Sequence, residues 1–264
     1  MKLLIIPDVH GRQFWKDILP FADECGKIVF LGDYHDPYLY EGIDTSQSLE
    51  NFREIIDFAN SHSDKVTLLL GNHDLSYCHY SVGANRFDKS NRHELEKIFS
   101  DNEKLFKIAD ICKIPENGKV FLFSHAGIQS HWIESNQLID NFDPSTTDAD
   151  TIYNTVTQCY ANHDPSFRCA LCDVSYYRGG YCDSGSMVWG DSHEFYFQPP
   201  TPYIQIFGHT QQLERTLDMS TNEYTWHPTA PSVYGNNICV DCHTCFYIDD
   251  DGLLHDLKSN KVII

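Results

Sequence analysis

Five short polar clusters stand where apolar runs end, and their residue types are those that hold divalent cations. The first is Asp8, Val9 and His10; the second runs Gly32, Asp33, Tyr34, His35 and Asp36; the third is Gly71, Asn72, His73 and Asp74. Ser124 with His125, and Gly208 with His209 and Thr210, complete the series. Carboxylate, imidazole and amide oxygen together form the ligand set of a divalent transition-metal site. In an extended chain Asp8 and His10 face the same side and can share one ion. A glycine directly before Asp33, Asn72 and His209 lets the backbone turn sharply and approach a ligand closely. Taken singly, each residue has an ordinary explanation: a histidine after a strand is a polar loop residue, Asn72 a turn residue, Asp36 a helix or turn cap. Five in succession at strand ends point to one shared site.

The elements that must position these clusters are legible as alternating strand and helix. Short apolar runs at 2–7, 27–31 and 66–70 read as strands, and 13–23 and 46–60 carry helical periodicity. The second helix places Leu49, Phe52, Ile55, Ile56 and Ala59 on one face, with Thr45 or Ser46 as N-cap. Alternation of this kind makes parallel strands, whose carboxyl ends carry the active residues. Further strands are expected at 119–123 and 203–207, running into His125 and His209. Residues 129–191, with a helix-like stretch at 148–160 followed by loops rich in Gly, Cys and Tyr, read as an insertion or lid on one domain spanning 1–264. The tail, 237–264, reads as a β-meander with turns at 249–252 and 259–260.

Composition narrows the function classes. The formal charge of −19, from 38 acidic and 19 basic residues, repels polyanions and disfavours a long nucleic-acid substrate. No run approaches the roughly 18 apolar residues of a membrane span, and the first apolar run stops at Pro7 and Asp8 without the pattern of a signal peptide. A cytoplasmic location is the expectation. Ten cysteines are then expected to be reduced. Cys169 and Cys172, and Cys239, Cys242 and Cys245, have spacings that a zinc knuckle would use. The second run reads instead as a strand over 238–248, with Cys239 and Cys245 on one face and Cys242 on the other, so buried free thiols are the preferred reading.

The five clusters in this order resemble the signature of the calcineurin-like metallophosphoesterases, across residues 8–209. The resemblance implies a four-layer αββα sandwich and two divalent ions, manganese first, with iron or zinc as alternatives. Asp8 and His10 would hold one metal, Asp33 would bridge both, and Asn72, His125 and His209 would complete the second. His73, paired with Asp74, would be the acid that protonates the leaving oxygen. Many relatives have a second histidine where this chain has Gln211. That departure, with the stretch 237–241, is similar to the protein-phosphatase and diadenosine-tetraphosphatase branch. The protein phosphatases, however, carry Arg-Gly where this chain has Pro37 and Tyr38, and an arginine near GNHD where it has Leu75 and Ser76.

The implied reaction is hydrolysis of a phosphomonoester, as in a serine/threonine phosphatase, by a hydroxide shared between the two ions. Phosphorylated small molecules or phosphoproteins are the expected substrates. Arg178, among the glycines of the expected lid, and Arg12, directly after the first cluster, are the candidates for clamping phosphate, because guanidinium binds it in bidentate fashion. A nucleotide or dinucleoside polyphosphate hydrolase is the alternative, with lid tyrosines stacking on a base. A non-catalytic binding module on the same fold is a third reading, which the full ligand set disfavours.

Overall fold

A computed structural model of the chain describes residues 3–78, 85–219 and 223–264. In chain order the strands and helices are β1 (Leu3–Ile6), β2 (Lys27–Phe30), α1 (Thr45–Ser61), β3 (Val66–Leu69), α2 (Asn72–Leu75), α3 (Arg92–Asp101), β4 (Phe106–Lys107), β5 (Ala109–Ile114) and β6 (Lys119–Ser124). They continue with α4 (Ser130–Ser135), α5 (Ala149–Ala161), α6 (Pro165–Ala170), β7 (Ile204–Phe207), β8 (Leu213–Asp218), β9 (Glu223–Pro228), β10 (Ser232–Tyr234), β11 (Asn237–Cys239), β12 (Phe246–Ile248) and β13 (Leu254–Asp256). The expected strands at 27–31, 66–70, 119–123 and 203–207 all form. Lys2, at the start of the expected first strand, lies outside the described residues.

Two sheets face each other. One has the order β13-β12-β1-β2-β3-β4, with β1 to β4 parallel; the other has the order β10-β11-β7-β6-β5, with β6, β7 and β11 parallel. Alternation along the strands explains the layering. Leu3, Ile5, Val29, Leu31 and Leu69 meet Phe121, Phe123, Ile206 and Ile238 in a core between the sheets. The intervening residues Leu4, Ile6, Ile28, Phe30 and Leu68 point outward onto Trp15, Ile18, Phe52 and Ile55 of the helical layer. Strands buried on both faces are continuous apolar runs, as these are. The helix α5 packs on β5 and β6 and closes the far side. The expected four-layer αββα sandwich results.

Three expectations change. The cap of α1 is Asp44, whose carboxylate accepts from Gln47 N at 2.8 Å while Gln47 Oε1 accepts from Asp44 N at 3.1 Å. This reciprocal box satisfies two donors at once, which Thr45 or Ser46 would not. The stretch 129–191 supplies α4, α5 and α6 as the outer helical layer, and only its end, near Arg178 and Asp191, reaches the polar clusters. Residues 238–248 are not one strand. β11 pairs with β7 in one sheet and β12 pairs with β1 in the other, so the chain crosses between sheets within this stretch. Cys239, Cys242 and Cys245 are consequently buried in three separate apolar clusters as free thiols. Cys169 and Cys172 are exposed and form no disulfide. Among the described residues no helix is long and apolar enough to cross a membrane.

Candidate metal centre

The carboxyl ends of β1, β2, β3, β6 and β7 converge, and backbone hydrogen bonds lace their loops together. Val9 N and His10 N donate to Asp33 O at 3.1 and 2.7 Å, and Gly208 N donates to His125 O at 2.8 Å. His209 N donates to both oxygens of Asp8 at 3.0 and 3.1 Å, and His73 N donates to Asp33 Oδ1 at 3.1 Å. Two glycines make this closeness feasible. A Cβ at Gly71 would fall 2.1 Å from Asp33 Oδ1, and one at Gly208 would fall 2.1 Å from Asp8 Oδ1. His10, Asp33, Asp36 and His209 all adopt positive φ, between 45° and 66°. Non-glycine residues hold that conformation only where the surroundings over-determine it, and such positions cluster at functional sites.

Asp8, Asp33, His125 and His209 bring ligand atoms within 4.8 Å of one another, and so do His10, Asp33 and His73; Asp33 belongs to both groups. All six are buried. His10 Nδ1 donates to His35 O at 2.9 Å and His125 Nδ1 donates to Leu31 O at 2.9 Å. Each ring therefore turns Nε2 inward: that of His10 lies 3.4 Å from Asp33 Oδ2, and that of His125 lies 3.5 Å from the same oxygen. His125 Nε2 is also 3.1 Å from Asn72 Oδ1 and 3.0 Å from His209 Nδ1. Anchoring the outer nitrogen on a carbonyl is how proteins orient metal-binding imidazoles.

The electrostatics fit a bound cation. Burial, then neighbouring Asp241, raises the Asp8 carboxyl well above its usual range; burial, then Asp74, does the same for Asp33. Burial lowers His10, His125 and His209, favouring the neutral imidazole that binds metal. His209 Nε2 is buried without a hydrogen-bond partner. Carboxylates this buried and this mutually repulsive need positive charge among them, and the neutral imidazoles cannot supply it. The residues thus suit a divalent centre.

A stability prediction follows from the same groups. Burial, opposed by hydrogen bonds from Gly71, Asp33 and Tyr34 amides, raises Asp74 to about 7, and burial raises Asp241 to about 7 against Arg12 and Arg178. A carboxyl whose pKa is raised on folding contributes stability below its unfolded pKa of about 4 and loses it as pH climbs through the folded value. A divalent ion held nearby favours the charged forms of both carboxyls and lowers their pKa values again. The melting temperature of metal-free protein should therefore fall relative to metal-loaded protein between about pH 4 and 7. Parallel thermal melts of both forms check this, and a constant difference across the range would contradict it.

The residues singled out in sequence take distinct places. Asp8, His10, Asp33, Asn72, His125 and His209 converge as expected. His73 lies beside them, but its partner is Asp36, not Asp74: His73 Nδ1 is 2.7 Å from Asp36 Oδ2. Asp74 faces the backbone, accepting from Asp33 N at 2.7 Å, Gly71 N at 2.8 Å and Tyr34 N at 3.2 Å. Adjacent residues in a helical turn point apart, whereas Asp36 comes from the facing loop. Arg12 is engaged by Glu41, with Nε and Nη2 each 2.8 Å from a carboxylate oxygen. Arg178 Nη2 donates to His209 O at 3.1 Å and to Thr210 Oγ1 at 2.6 Å, and Nε lies 2.9 Å from Asp191 Oδ2. Both arginines brace the motif loops.

Three residues escaped sequence reasoning. Asp36 stood in the second cluster with no role of its own assigned. Arg86 Nη2 lies 3.3 Å from His73 Nε2, Arg86 Nε donates to Asp36 O at 3.2 Å, and the guanidinium sits 3.7 Å over the Tyr38 ring. Its position, 13 residues beyond His73, carries no local signal. Asp241 is fully buried near Asp8, with neither carboxylate oxygen hydrogen-bonded.

A two-sheet sandwich with buried carboxylates and imidazoles gathered at the strand ends defines a metal-dependent hydrolase. The calcineurin-like phosphoesterase profile matches residues 1–213, and the chain belongs to that family, whose members act on phosphoester bonds. Similar solved structures include a cold-active protein-tyrosine phosphatase of the psychrophile Shewanella sp., 17% identical over 97% of this chain and 80% of that one, with TM-score 0.45. A protein serine/threonine phosphatase from Saccharomyces cerevisiae is 14% identical over 94% and 72%, with TM-score 0.41. A dimetal phosphatase from Danio rerio is 13% identical over 93% and 91%, with TM-score 0.34. No curated protein matches the chain.

Proposed function

We propose that the protein hydrolyses phosphate monoesters carried by a small molecule or a protein, with manganese, iron or zinc as its two ions. The observation that carries this reading is Asp33 common to two ligand groups, with the buried His73–Asp36 pair on their flank. Asp8 and His10 would hold one ion, Asn72, His125 and His209 the other, and Asp33 both. Held there, two divalent cations would supply charge to offset that of the phosphoryl group and would lower the pKa of a water toward neutrality.

The chain's own groups do the remaining work. Asp36, fixed by the Tyr77 hydroxyl donating to Oδ1 at 2.6 Å, holds His73 by Nδ1 and turns Nε2 toward Arg86, where a bound phosphate would bring the departing oxygen. Burial lowers the His73 pKa and Asp36 opposes the fall in part, so the partner carboxylate favours the protonated imidazole that an acid needs. Arg86, next to Nε2, takes the phosphate-binding role expected of Arg178 and Arg12, since it is exposed and its guanidinium faces the centre. Its hydrogen bonds to a charged phosphoryl group are worth about 1.5–3 kcal/mol.

The test is a substrate panel on manganese-loaded protein: a phosphoserine peptide, a nucleoside monophosphate, a dinucleoside tetraphosphate and bis(p-nitrophenyl) phosphate. Monoesters should be turned over fastest, and Arg86→Ala should lower their kcat/KM about 10- to 150-fold. Preferential cleavage of the tetraphosphate would establish the polyphosphate hydrolase instead.

A further inference from the structure

Next to the metal centre, a cavity of about 490 Å³ opens between the loop bearing Tyr40 and Glu41 and the ribbon β8–β9. Tyr40 and Trp226 stand in its wall with 56% and 45% of their surfaces exposed, their ring centroids 6.4 Å apart and tilted by 33°. Exposed rings facing a common hollow offer π-surface that water satisfies poorly. A short chain of aromatic rings links the cavity wall to the centre. Tyr38 lies 5.0 Å from the His10 ring and 5.4 Å from Tyr40, so two ring contacts separate a metal-binding imidazole from the cavity wall. Arg12, in the same wall, donates to Asp8 O at 3.4 Å.

Gln211 ties the two regions together from below. It follows His209 by two residues, hydrogen-bonds the Tyr40 side chain, and places Nε2 3.3 Å from His243 Nε2. His243, His227 and Glu41 ring the cavity with groups able to donate to or accept from the edge of a planar ring. The volume is several times that of a lone phenyl ring and suits a nucleoside-sized group at the lower end of ordinary ligand pockets.

The geometry points to this cavity as the subsite for a planar aromatic group carried by the substrate, stacked on Tyr40 and Trp226 while its phosphate occupies the metal centre. The inference rests on the monoesterase reading for the phosphate half alone. A nucleoside monophosphate and an aryl phosphate such as phosphotyrosine share this chemistry. The polar rim favours the nucleobase.

The decisive experiment compares Trp226→Ala and Tyr40→Ala with the unaltered protein on three substrates: adenosine 5′-monophosphate, phosphotyrosine and glycerol 2-phosphate. Stacking on an aromatic side chain supports a loss of about 5- to 150-fold in kcat/KM, expressed in KM, for the substrates whose ring enters the cavity. Glycerol 2-phosphate, which has no ring, should be turned over unchanged, and Trp226→Phe should restore most of the loss. A defect with the nucleotide but not with phosphotyrosine identifies the base as the occupant; a defect with both identifies the ring alone. Equal effects on all three substrates, or none on any, overturn the subsite while leaving the monoesterase reading intact. If no phosphate is hydrolysed, that reading fails, and calorimetric titration of metal-loaded protein with adenosine decides the cavity separately. Binding abolished by Trp226→Ala sustains it; binding that is absent, or the same in the variant, refutes it.

Discussion

His73→Asn should retain both metal ions yet slow hydrolysis of an alkyl or serine phosphate by about 10²–10⁴-fold, the range of a positioned general acid. With nitrophenyl phosphate, whose leaving group departs with little protonation, the same variant should be only mildly impaired. The geometry explains the asymmetry. His73 is buried and held by Nδ1 against Asp36, which itself is fixed by Tyr77, so one nitrogen is aimed at the site. Asp36→Asn should copy the pattern with a smaller loss. Because Asp36 raises the His73 pKa against burial, removing its charge moves the loss of the protonated acid, and with it the alkaline limb of the rate profile, to lower pH. His125→Asn supplies the contrast: loss of a ligand should reduce metal content and every substrate alike. If His73→Asn depletes metal and slows both leaving groups equally, His73 is a ligand rather than the acid.

Asp33→Asn should cause the largest loss of all, because one side chain serves both ligand groups. Outer partners of metal ligands alone are worth about 10–100-fold in affinity, so losing the shared carboxylate should exceed that for both ions and leave activity near background. The expected metal content drops from about two per chain toward none. Metal-free protein should respond in the opposite direction. Asp33 is a buried carboxylate raised by desolvation and by Asp74, with His73 N as its hydrogen-bond donor. Asparagine keeps an acceptor for that amide and removes the buried charge, so the melting temperature of the apo form at pH 7 should rise. Elemental analysis beside melts of apo and loaded variant reads both signs. A reproducible single ion unaffected by the substitution would remove Asp33 from its bridging place.

The candidate ligands, their order and the sandwich that presents them are legible in the sequence. Those features are local. An apolar run of four residues ending in glycine and a carboxylate or imidazole specifies strand, turn and ligand together, and burial on both faces marks a strand between layers. The same locality explains what went astray. Asp74 was paired with His73 because they are neighbours in sequence, whereas the contact is made by Asp36, 37 residues away. Arg12 and Arg178 touch the motif loops, but Glu41 and Asp191, which engage them, come from other loops. The stretch 238–248 alternates like a strand, yet the two sheets compete for it and each takes one end. Tertiary structure alone decided these partners, and also the approach of Arg86 to His73 and of Trp226 to Tyr40. Side-chain pairing across loops depends on where the sheets bring separate segments, and a one-dimensional spacing holds no record of that distance.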